Sequence, residues 1–387
     1  MDALTTPLPK AWQRVRLGDI AEIKRGASPR PIENPKWFCA NSNVGWVRIS
    51  DISKNSRFLY KTAQKLSKKG IEKSRFIKQN SLIMSMCATI GKPIITKIDT
   101  CIHDGFVVFE NPKIDLNYLY YFLCYIEKEW LESGQQGSQV NLNVDLIKNK
   151  EVFYPKDLNE QIAIANILSD LDHYLYTLDA LILKKESVKK ALSFELLSQR
   201  KRLKGFNQNW QRVRLGDIAE IKRGVRITKN ELDVFGKYPV VSGGVGFLGY
   251  TNNFNRYENT ITIAQYGTAG YVNFQKNKFW ANDVCFCVYP NKDVIKNIFL
   301  YYFLKVNQNY LYEISNRNAT PYSISKDKIL DFEIPLPPLN EQIAIANILS
   351  ALDNEIISLK NKKRQFENIK KALNHDLMSA KIRVLKK

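Results

Sequence analysis

Residues 12–26 read WQRVRLGDIAEIKRG, and residues 210–224 repeat all fifteen letters without a change. A second pair of segments, LNEQIAIANILSDLD at 158–172 and LNEQIAIANILSALD at 339–353, differs only where Asp170 is replaced by Ala351. Between these motifs the two copies diverge, and the first is longer. The chain is therefore a tandem duplication in which two similar frames carry two different inserts.

The segment after each block predicts a long helix. No Gly or Pro lies between Pro155 and Gly205, and none follows Pro338, which leaves room for about 45 helical residues in each. Apolar residues recur there in seven-residue rows, as in a coiled-coil seam. Lysines interrupt the rows at exchanged places, since Ile182 matches Lys363 and Lys185 matches Phe366. We therefore expect the two helices to pair with each other, with the lysine stems snorkelling to water, along a seam that includes Leu168, Leu171, Leu175, Leu178, Leu349, Leu352, Ile356 and Leu359.

Alternating strand patterns and short amphipathic helices predict mixed α/β structure in each block. The whole is then an α+β chain, with two α/β domains separated by two long helices that form an antiparallel coiled coil. Duplication makes this arrangement pseudo-twofold symmetric, like a dimer within one chain. The predicted boundaries are 1–157 for the first domain, 158–206 for the first helix, 207–338 for the second domain and 339–387 for the second helix.

The net charge is +20, of which the two helical segments carry +7 and the remaining residues +13. An excess of positive charge on the blocks favours a polyanionic partner such as nucleic acid. The N-terminal MDALTTPLPKAW lacks an apolar core, and the longest apolar stretches are too short to cross a bilayer. We therefore expect a cytoplasmic protein without a membrane partner.

Catalytic signatures are weak. Asn34-Pro35-Lys36-Trp37 lacks the second proline of an adenine methyltransferase loop, and Gly91-Lys92-Pro93 lacks the rest of a phosphate-binding loop. Gly243–Gly246 predicts a turn between strands, and Cys285-Phe286-Cys287 a strand that buries thiols on one face. The three histidines, 103, 173 and 375, have no metal-ligand spacing. The sequence favours a chain without a catalytic, cofactor or metal site.

Two unlike blocks that alternate with two nearly identical helices, entered by WQRVRLGDIAEIKRG and left by LNEQIAIANIL, resemble the specificity subunits of type I restriction–modification systems. The resemblance covers essentially the whole chain. It implies that each block is a target recognition domain reading one half of a split, asymmetric double-stranded DNA site. It also implies that the helices space the blocks and dock two adenine methyltransferase (modification) subunits and, through them, restriction (translocase) subunits. S-adenosylmethionine, ATP and Mg²⁺ would then be bound by those partners.

Phosphate contacts are predicted at Lys24, Arg25, Lys222 and Arg223, because both copies keep these residues. Base readers should differ between the copies. They are predicted at Arg48, Ser85, Lys92, Gln139 and Asn141 in the first block, and at Arg226, Ser242, Gln265, Tyr266, Arg317 and Asn318 in the second.

Two other functions are compatible with the sequence. One is a non-catalytic scaffold in which the blocks bind proteins and the coiled coil is a spacer. The other is a self-sufficient nuclease or methyltransferase, which activity assays with a divalent metal or a methyl donor would reveal.

Overall fold

The structure, a computed structural model, describes residues 9–53, 57–133, 142–318 and 320–384, with only the backbone for 131–133. The chain divides into two compact units. Unit 1 comprises residues 1–177 and 363–387, and unit 2 comprises residues 178–362. Each unit contains one block together with part of each long helix.

The described part of unit 1 contains three sheets, with strand orders β1-β11, β2-β10-β7-β8-β4 and β5-β3-β9-β6. Its strands are β1 Trp12–Arg16, β2 Glu22–Arg25, β3 Gly45–Val47, β4 Phe58–Leu59, β5 Gln64–Lys65, β6 Arg75–Ile77, β7 Leu82–Ser85, β8 Pro93–Thr96, β9 Thr100–Ile102, β10 Phe106–Glu110 and β11 Glu151–Pro155. Its helices are α1 Leu17–Ile20, α2 Ile49–Ser53, α3 Lys68–Glu72, α4 Leu116–Tyr125, α5 Glu127–Ser133, α6 Val144–Asn149 and the first part of α7 Leu158–Leu197.

Unit 2 contains the sheets β12-β20, β13-β19-β16-β17 and β15-β14-β18. Its strands are β12 Gln211–Arg214, β13 Ala219–Arg223, β14 Tyr238–Val241, β15 Phe247–Thr251, β16 Thr260–Ala264, β17 Val272–Gln275, β18 Trp280–Ala281, β19 Cys285–Pro290 and β20 Glu333–Leu336. Its helices are α8 Leu215–Ile218, α9 Asn297–Val306, α10 Gln308–Glu313, α11 Lys326–Leu330 and the first part of α12 Leu339–Met378.

The central strands of unit 1 are apolar on both faces because both faces are covered. Leu82 and Met84 of β7 pack in the cluster that contains α4, whereas Ile83 packs with Val47 and Ile102 of the sheet β5-β3-β9-β6. Successive side chains of a strand point to opposite faces. Because both faces are buried, the run Leu-Ile-Met is apolar throughout. A strand with one face in water would instead alternate apolar and polar residues.

Within unit 1, the first part of α7 packs against the last part of α12. Leu168 and Leu377 share one core cluster, and the rings of Tyr174 and Phe366 lie 4.6 Å apart. Asp172 forms an ion pair with Lys370. Residue numbers fall on one helix as they rise on the other, so the pairing is antiparallel, as the sequence predicts.

Within unit 2, the same ion pair recurs with the two helices exchanged, and a second ion pair stands where unit 1 has the ring contact of Tyr174 and Phe366. Asp353 of α12 pairs with Lys189 of α7 at 2.5 Å, and Lys185 pairs with Glu355 at 2.7 Å. Lys185, Lys189 and Lys370 therefore form ion pairs with the facing helix rather than simply snorkelling to water, whereas Lys363 pairs with Glu367 of its own helix at 3.5 Å.

The eight seam residues predicted from the sequence are all partly or fully buried. Leu168, Leu178, Leu349 and Ile356 are buried, and Leu171, Leu175, Leu352 and Leu359 are half-buried. In the part of the chain that the structure describes, no helix is long and apolar enough to span a membrane.

Candidate nucleic-acid interface

The repeated motif WQRVRLGDIAEIKRG builds the same strand–helix–strand frame in each unit and ends at a glycine that permits a close backbone approach. A Cβ atom on Gly26 would lie 2.0 Å from the carbonyl oxygen of His103, and one on Gly224 would lie 2.1 Å from that of Asn282. Only glycine allows the chain to pass there. In both units the motif is thereby held against the loop that precedes β10 or β19.

The arginine before each of these glycines makes the same hydrogen bond. Arg25 Nε donates to the carbonyl oxygen of Asp104 at 2.7 Å, and Arg223 Nε donates to that of Asp283 at 2.5 Å. Both arginines are exposed. A guanidinium fixed through its Nε can still present its terminal nitrogens to a phosphate.

The two repeated lysines differ in how much of their charge is compensated. Lys24 Nζ lies 2.6 Å from Glu110 and 2.9 Å from Glu22, and its hydrogen bond to Glu110 is the main cause that raises its pKa. Among the described residues, the one carboxylate that pairs with Lys222 is that of Glu220, at 3.1 Å. Lys222 is therefore the better placed of the two to attract a phosphate.

In unit 2 the loops that join the strands gather at one end of the sheets. Gly243 O accepts the amide of Thr268 at 2.9 Å, and the amide of Asn282 donates to Val241 O at 2.9 Å. The amide of Gly267 donates to Tyr322 O at 3.0 Å. Together with the bonds from the amide of Val225 to Ala281 O and from the amide of Asn316 to Ser323 O, they form one surface, the loop end of unit 2, which comprises residues 223–227, 242–246, 265–268, 281–284, 316–318 and 322–323.

Seven of the eight residues predicted in the second block lie on the loop end of unit 2, and Lys222 is the exception. Arg223, Arg226, Arg317 and Asn318 are exposed, and Ser242, Gln265 and Tyr266 are half-buried. Arg317 is the most firmly held, because its Nε donates to Tyr312 O at 3.1 Å and its guanidinium lies 5.3 and 5.2 Å from the Tyr312 and Tyr322 rings. Its direction is thus fixed, which is what a base reader requires.

The loop end of unit 1 comprises residues 25–30, 48, 86–91 and 103–105, at the equivalent end of its sheets. Asp104 organises it, because Ser28 Oγ and Arg30 Nη2 donate to its carboxylate at 2.7 and 2.9 Å. The bond from Ser28 is the main cause that lowers the pKa of Asp104. Sequence reasoning missed Arg30, although it is a second cation only five residues after Arg25 and beyond the repeat.

Four first-block predictions have different outcomes. Ser85 is fully buried and its hydroxyl donates to Thr89 O, so it has no surface to offer a base and the prediction that it reads one is wrong. Lys92 is half-buried, and its Nζ donates to Ile52 O at 3.1 Å. This hydrogen bond holds its side chain at the end of α2. Gln139 and Asn141 lie outside the described residues.

Arg48 follows β3, whose neighbour β9 leads directly to His103. Its backbone amide donates to Asp51 Oδ2 at 2.9 Å, and its side chain is half-buried. Arg48 therefore lies at the loop end of unit 1 together with Arg25 and Arg30.

His103 is a neutral, half-buried part of this loop end. The Gly105 amide donates to His103 Nδ1 at 2.9 Å, and burial is the main cause that lowers the pKa of His103 to about 4. As the pH falls from about 6.5, the unfolded chain takes up a proton at this position and the folded chain does not, until about pH 4.

We therefore expect acidification from pH 6.5 to 4 to cost the folded state about 3 kcal/mol through His103. Urea unfolding followed over this pH range should show the loss. His103→Asn retains a hydrogen-bond acceptor and should remove most of this acid sensitivity, whereas His173→Asn, at an exposed position on α7, should not. An unchanged pH dependence in His103→Asn contradicts the prediction.

Among the described residues, no group of three or more His, Cys, Asp or Glu side chains could hold a metal ion. The loop ends offer arginines, amides and hydroxyls, which are groups that contact phosphates and base edges. The two loop ends stand on the same repeated frame but differ in sequence. This arrangement indicates a class of protein that reads DNA.

Comparison with known proteins agrees with this class. The family model described as "Type I restriction modification DNA specificity domain" matches residues 9–185 and again 207–368. The chain therefore belongs to the specificity subunits of type I restriction–modification systems, which are non-catalytic. The sequence-based identification of the family, and of a chain that is not itself an enzyme, is confirmed.

Individual relatives extend over most of the chain. The type I restriction enzyme MjaVIII specificity subunit of Methanocaldococcus jannaschii is 25% identical and covers 97% of this chain and 94% of its own length. The EcoprrI specificity subunit of Escherichia coli is 23% identical over 87% of this chain and 86% of its own length. The crystal structure of the type I S subunit from M. genitalium has a TM-score of 0.69 at 18% identity, with 96% of this chain and 98% of that one covered. The last comparison supports the same fold.

Proposed function

We propose that this specificity subunit recognises one split, asymmetric double-stranded DNA site, with one half read by the loop end of each unit. One observation carries the proposal: equal frames, ending at Gly26 and Gly224, support loop ends of different sequence at the same end of the sheets. The same frame would fix the phosphate backbone in both halves, and unlike loops would read different bases.

We further propose that the helices dock two copies of one adenine methyltransferase. In LNEQIAIANIL, the glutamine is structural in both copies: Gln161 Nε2 donates to Pro155 O and Gln342 Nε2 to Pro337 O, each at 2.8 Å. By contrast, Ile162 and Ile343 are apolar yet 38% and 44% exposed. An identical exposed apolar residue in both copies fits a contact made twice with the same partner.

The partners would supply the chemistry. In this proposal the methyltransferase subunits bind S-adenosylmethionine, restriction subunits that join through them use ATP and Mg²⁺, and the complex works in the cytoplasm. The role of this chain is to select the site and to position its partners on it.

Mapping methylated adenines in cells that carry this chain and its own modification subunit tests the proposal. We expect two short specified sequences separated by an unspecified gap, with one methylated adenine on each strand. A continuous motif without a gap, or a single specified half, contradicts it.

Arg317→Ala is expected to relax recognition at one position of one half-site, at a cost of about 1–3 kcal/mol in discrimination. The guanidinium is exposed and fixed between two tyrosine rings, so its loss should remove one base contact and leave the frame intact. The measurement is the set of methylated motifs. Arg212→Ala, an exposed arginine on β12, is the matched control, and an unchanged motif in Arg317→Ala contradicts the assignment.

Lys222→Ala is expected to weaken binding to all DNA sequences alike and to reduce the slope of log affinity against log salt concentration by about one. Lys24→Ala should have the smaller effect, because two carboxylates already compensate Lys24. Titrations of specific and unrelated duplexes at several salt concentrations measure both effects. A loss confined to the specific duplex would make Lys222 a base reader instead.

A further inference from the structure

The hairpin that joins β14 and β15 carries an apolar tip at the loop end of unit 2. Residues 242–246 read SGGVG and lead into Phe247 and Leu248. Val245 is 61% exposed, Phe247 51% and Leu248 43%. Single apolar residues are common on protein surfaces, but three within four positions at a projecting turn indicate a contact surface.

The base of this tip is fixed, whereas its outer part is slender. Gly243 O accepts hydrogen bonds from both the amide and the hydroxyl of Thr268, at 2.9 and 2.6 Å. A Cβ on Gly243 would lie 2.2 Å from Tyr266 O, so the backbones are in close contact there. Beyond this anchor, nothing lies within 4 Å of a Cβ built on Gly246, and only Gly246 O approaches one built on Gly244. The result is a narrow, apolar projection on a rigid base.

The charges around the tip favour nucleic acid as its occupant. Asn282 links the tip to the neighbouring loop, because its Nδ2 donates to Ser242 Oγ at 3.3 Å and its Oδ1 accepts the amide of Ile227 at 3.2 Å. The loop end of unit 2 contains Arg223, Arg226 and Arg317 but only one acidic residue, Asp283. Arginines bind phosphates, and apolar side chains contact base faces. An apolar protein surface would leave the three arginines of this loop end without a partner of opposite charge.

We propose that the hairpin tip enters a DNA groove and inserts Val245 and the ring of Phe247 between stacked base pairs in the half-site read by unit 2. Apolar wedges of this kind unstack a base step and bend the duplex. The half-site would then be selected partly by how readily one of its steps opens, in addition to direct base contacts. This inference rests on the proposed function, since it requires that unit 2 bind DNA.

The test uses the full-length chain and duplexes of the mapped target sequence, with 2-aminopurine, an adenine analogue, placed in turn at each adenine of both strands in both halves. The methylated adenine is left out, because methylation requires that base to leave the stack. The variants are Val245→Ser and the double variant Val245→Ser/Phe247→Ser. The control is Phe235→Ser, which removes a 93% exposed phenylalanine in the loop at the other end of β14. Thermal melting establishes that each variant is folded.

The proposal predicts a rise in 2-aminopurine fluorescence at one step of one half-site only. The double variant should lose this rise and bind the target about tenfold or more weakly, Val245→Ser should show a smaller loss, and Phe235→Ser should match the unaltered chain. Three results would overturn the wedge: no rise at any position while the target is bound, unchanged affinity in the double variant, or an equal loss in Phe235→Ser.

Two further duplexes distinguish the wedge from two alternatives, which are contact with thymine methyl groups and a lack of specific DNA recognition. If replacing thymine by deoxyuridine weakens binding of the unaltered chain but not of the double variant, the tip contacts thymine methyl groups and the wedge is wrong. If the chain shows no preference for the mapped target over an unrelated duplex, the proposed function itself fails, which is distinct from a failure of the wedge alone.

Discussion

Gly224→Ala is expected to destabilise unit 2 by about 3 kcal/mol or more and to abolish recognition of its half-site. The added methyl group would lie 2.1 Å from the carbonyl oxygen of Asn282 and 2.4 Å from that of Ala281. These are backbone atoms, so no side-chain rotation relieves the clash. The strand end must move, and the bonds from the amides of Gly224 to Cys285 O and of Val225 to Ala281 O would be lost.

The matched control is Gly246→Ala, in the same unit, where nothing lies within 4 Å of the new Cβ. Urea unfolding should show a large change for Gly224→Ala and little for Gly246→Ala, and Gly224→Ala should also lose binding of the target duplex. Gly26→Ala should reproduce the effect in unit 1, because its Cβ would lie 2.0 Å from His103 O. Normal stability in Gly224→Ala would mean that the frame does not depend on this close approach.

The frame and the helix pairing could be predicted from the sequence because they follow local, periodic rules. Seven-residue rows bury Leu168 and Leu349 wherever two such helices meet. The alternation of Cys285 and Cys287 likewise places both thiols inside, as β19 does. The exchanged interruptions likewise indicate that the two helices pair with each other, because each helix alone has a broken apolar stripe.

The loop ends were less predictable, because the exposure of a polar side chain after a strand depends on how neighbouring loops close over it. Ser85 and Ser242 both end a strand pattern in a polar residue, yet Ser85 is enclosed by the turn that brings Thr89 O to its hydroxyl. Nothing in the local sequence reports that closure. The glycines around Val245 predict a turn between strands, and the structure has one there. A turn pattern does not predict which of its side chains are exposed.

Identical residues at equivalent positions of the two copies also lie in different environments. Trp12 and Trp210 begin the repeated motif, and Glu160 and Glu341 occupy the same place in the second repeat. In unit 2, Trp210 Nε1 donates to Glu341 Oε2 at 2.9 Å. Among the described residues of unit 1, Trp12 Nε1 is buried and has no hydrogen-bond partner. The repeat therefore preserves the residues, whereas the packing of each unit determines which bonds they make.

Glu341→Ala is expected to cost about 3–5 kcal/mol, because it removes one member of a buried ion pair. The carboxylate is 1% exposed and accepts from Arg202 Nη2 at 2.9 Å as well as from Trp210 Nε1. Its removal would leave a partly buried guanidinium and an indole N–H without their acceptor. Glu341→Gln retains an acceptor and should lose less.

Glu160 is the equivalent of Glu341 in the first copy, so Glu160→Ala is the matched comparison. Glu160 is 8% exposed, its partner Arg383 is 44% exposed at 3.2 Å, and in the described part of unit 1 no tryptophan shares the carboxylate. Solvent should replace much of that pair, so we expect Glu160→Ala to cost less than half as much as Glu341→Ala. Urea unfolding of the two variants measures the difference. Equal losses would show that the environment around each glutamate does not set its contribution, and that the repeated sequence alone does.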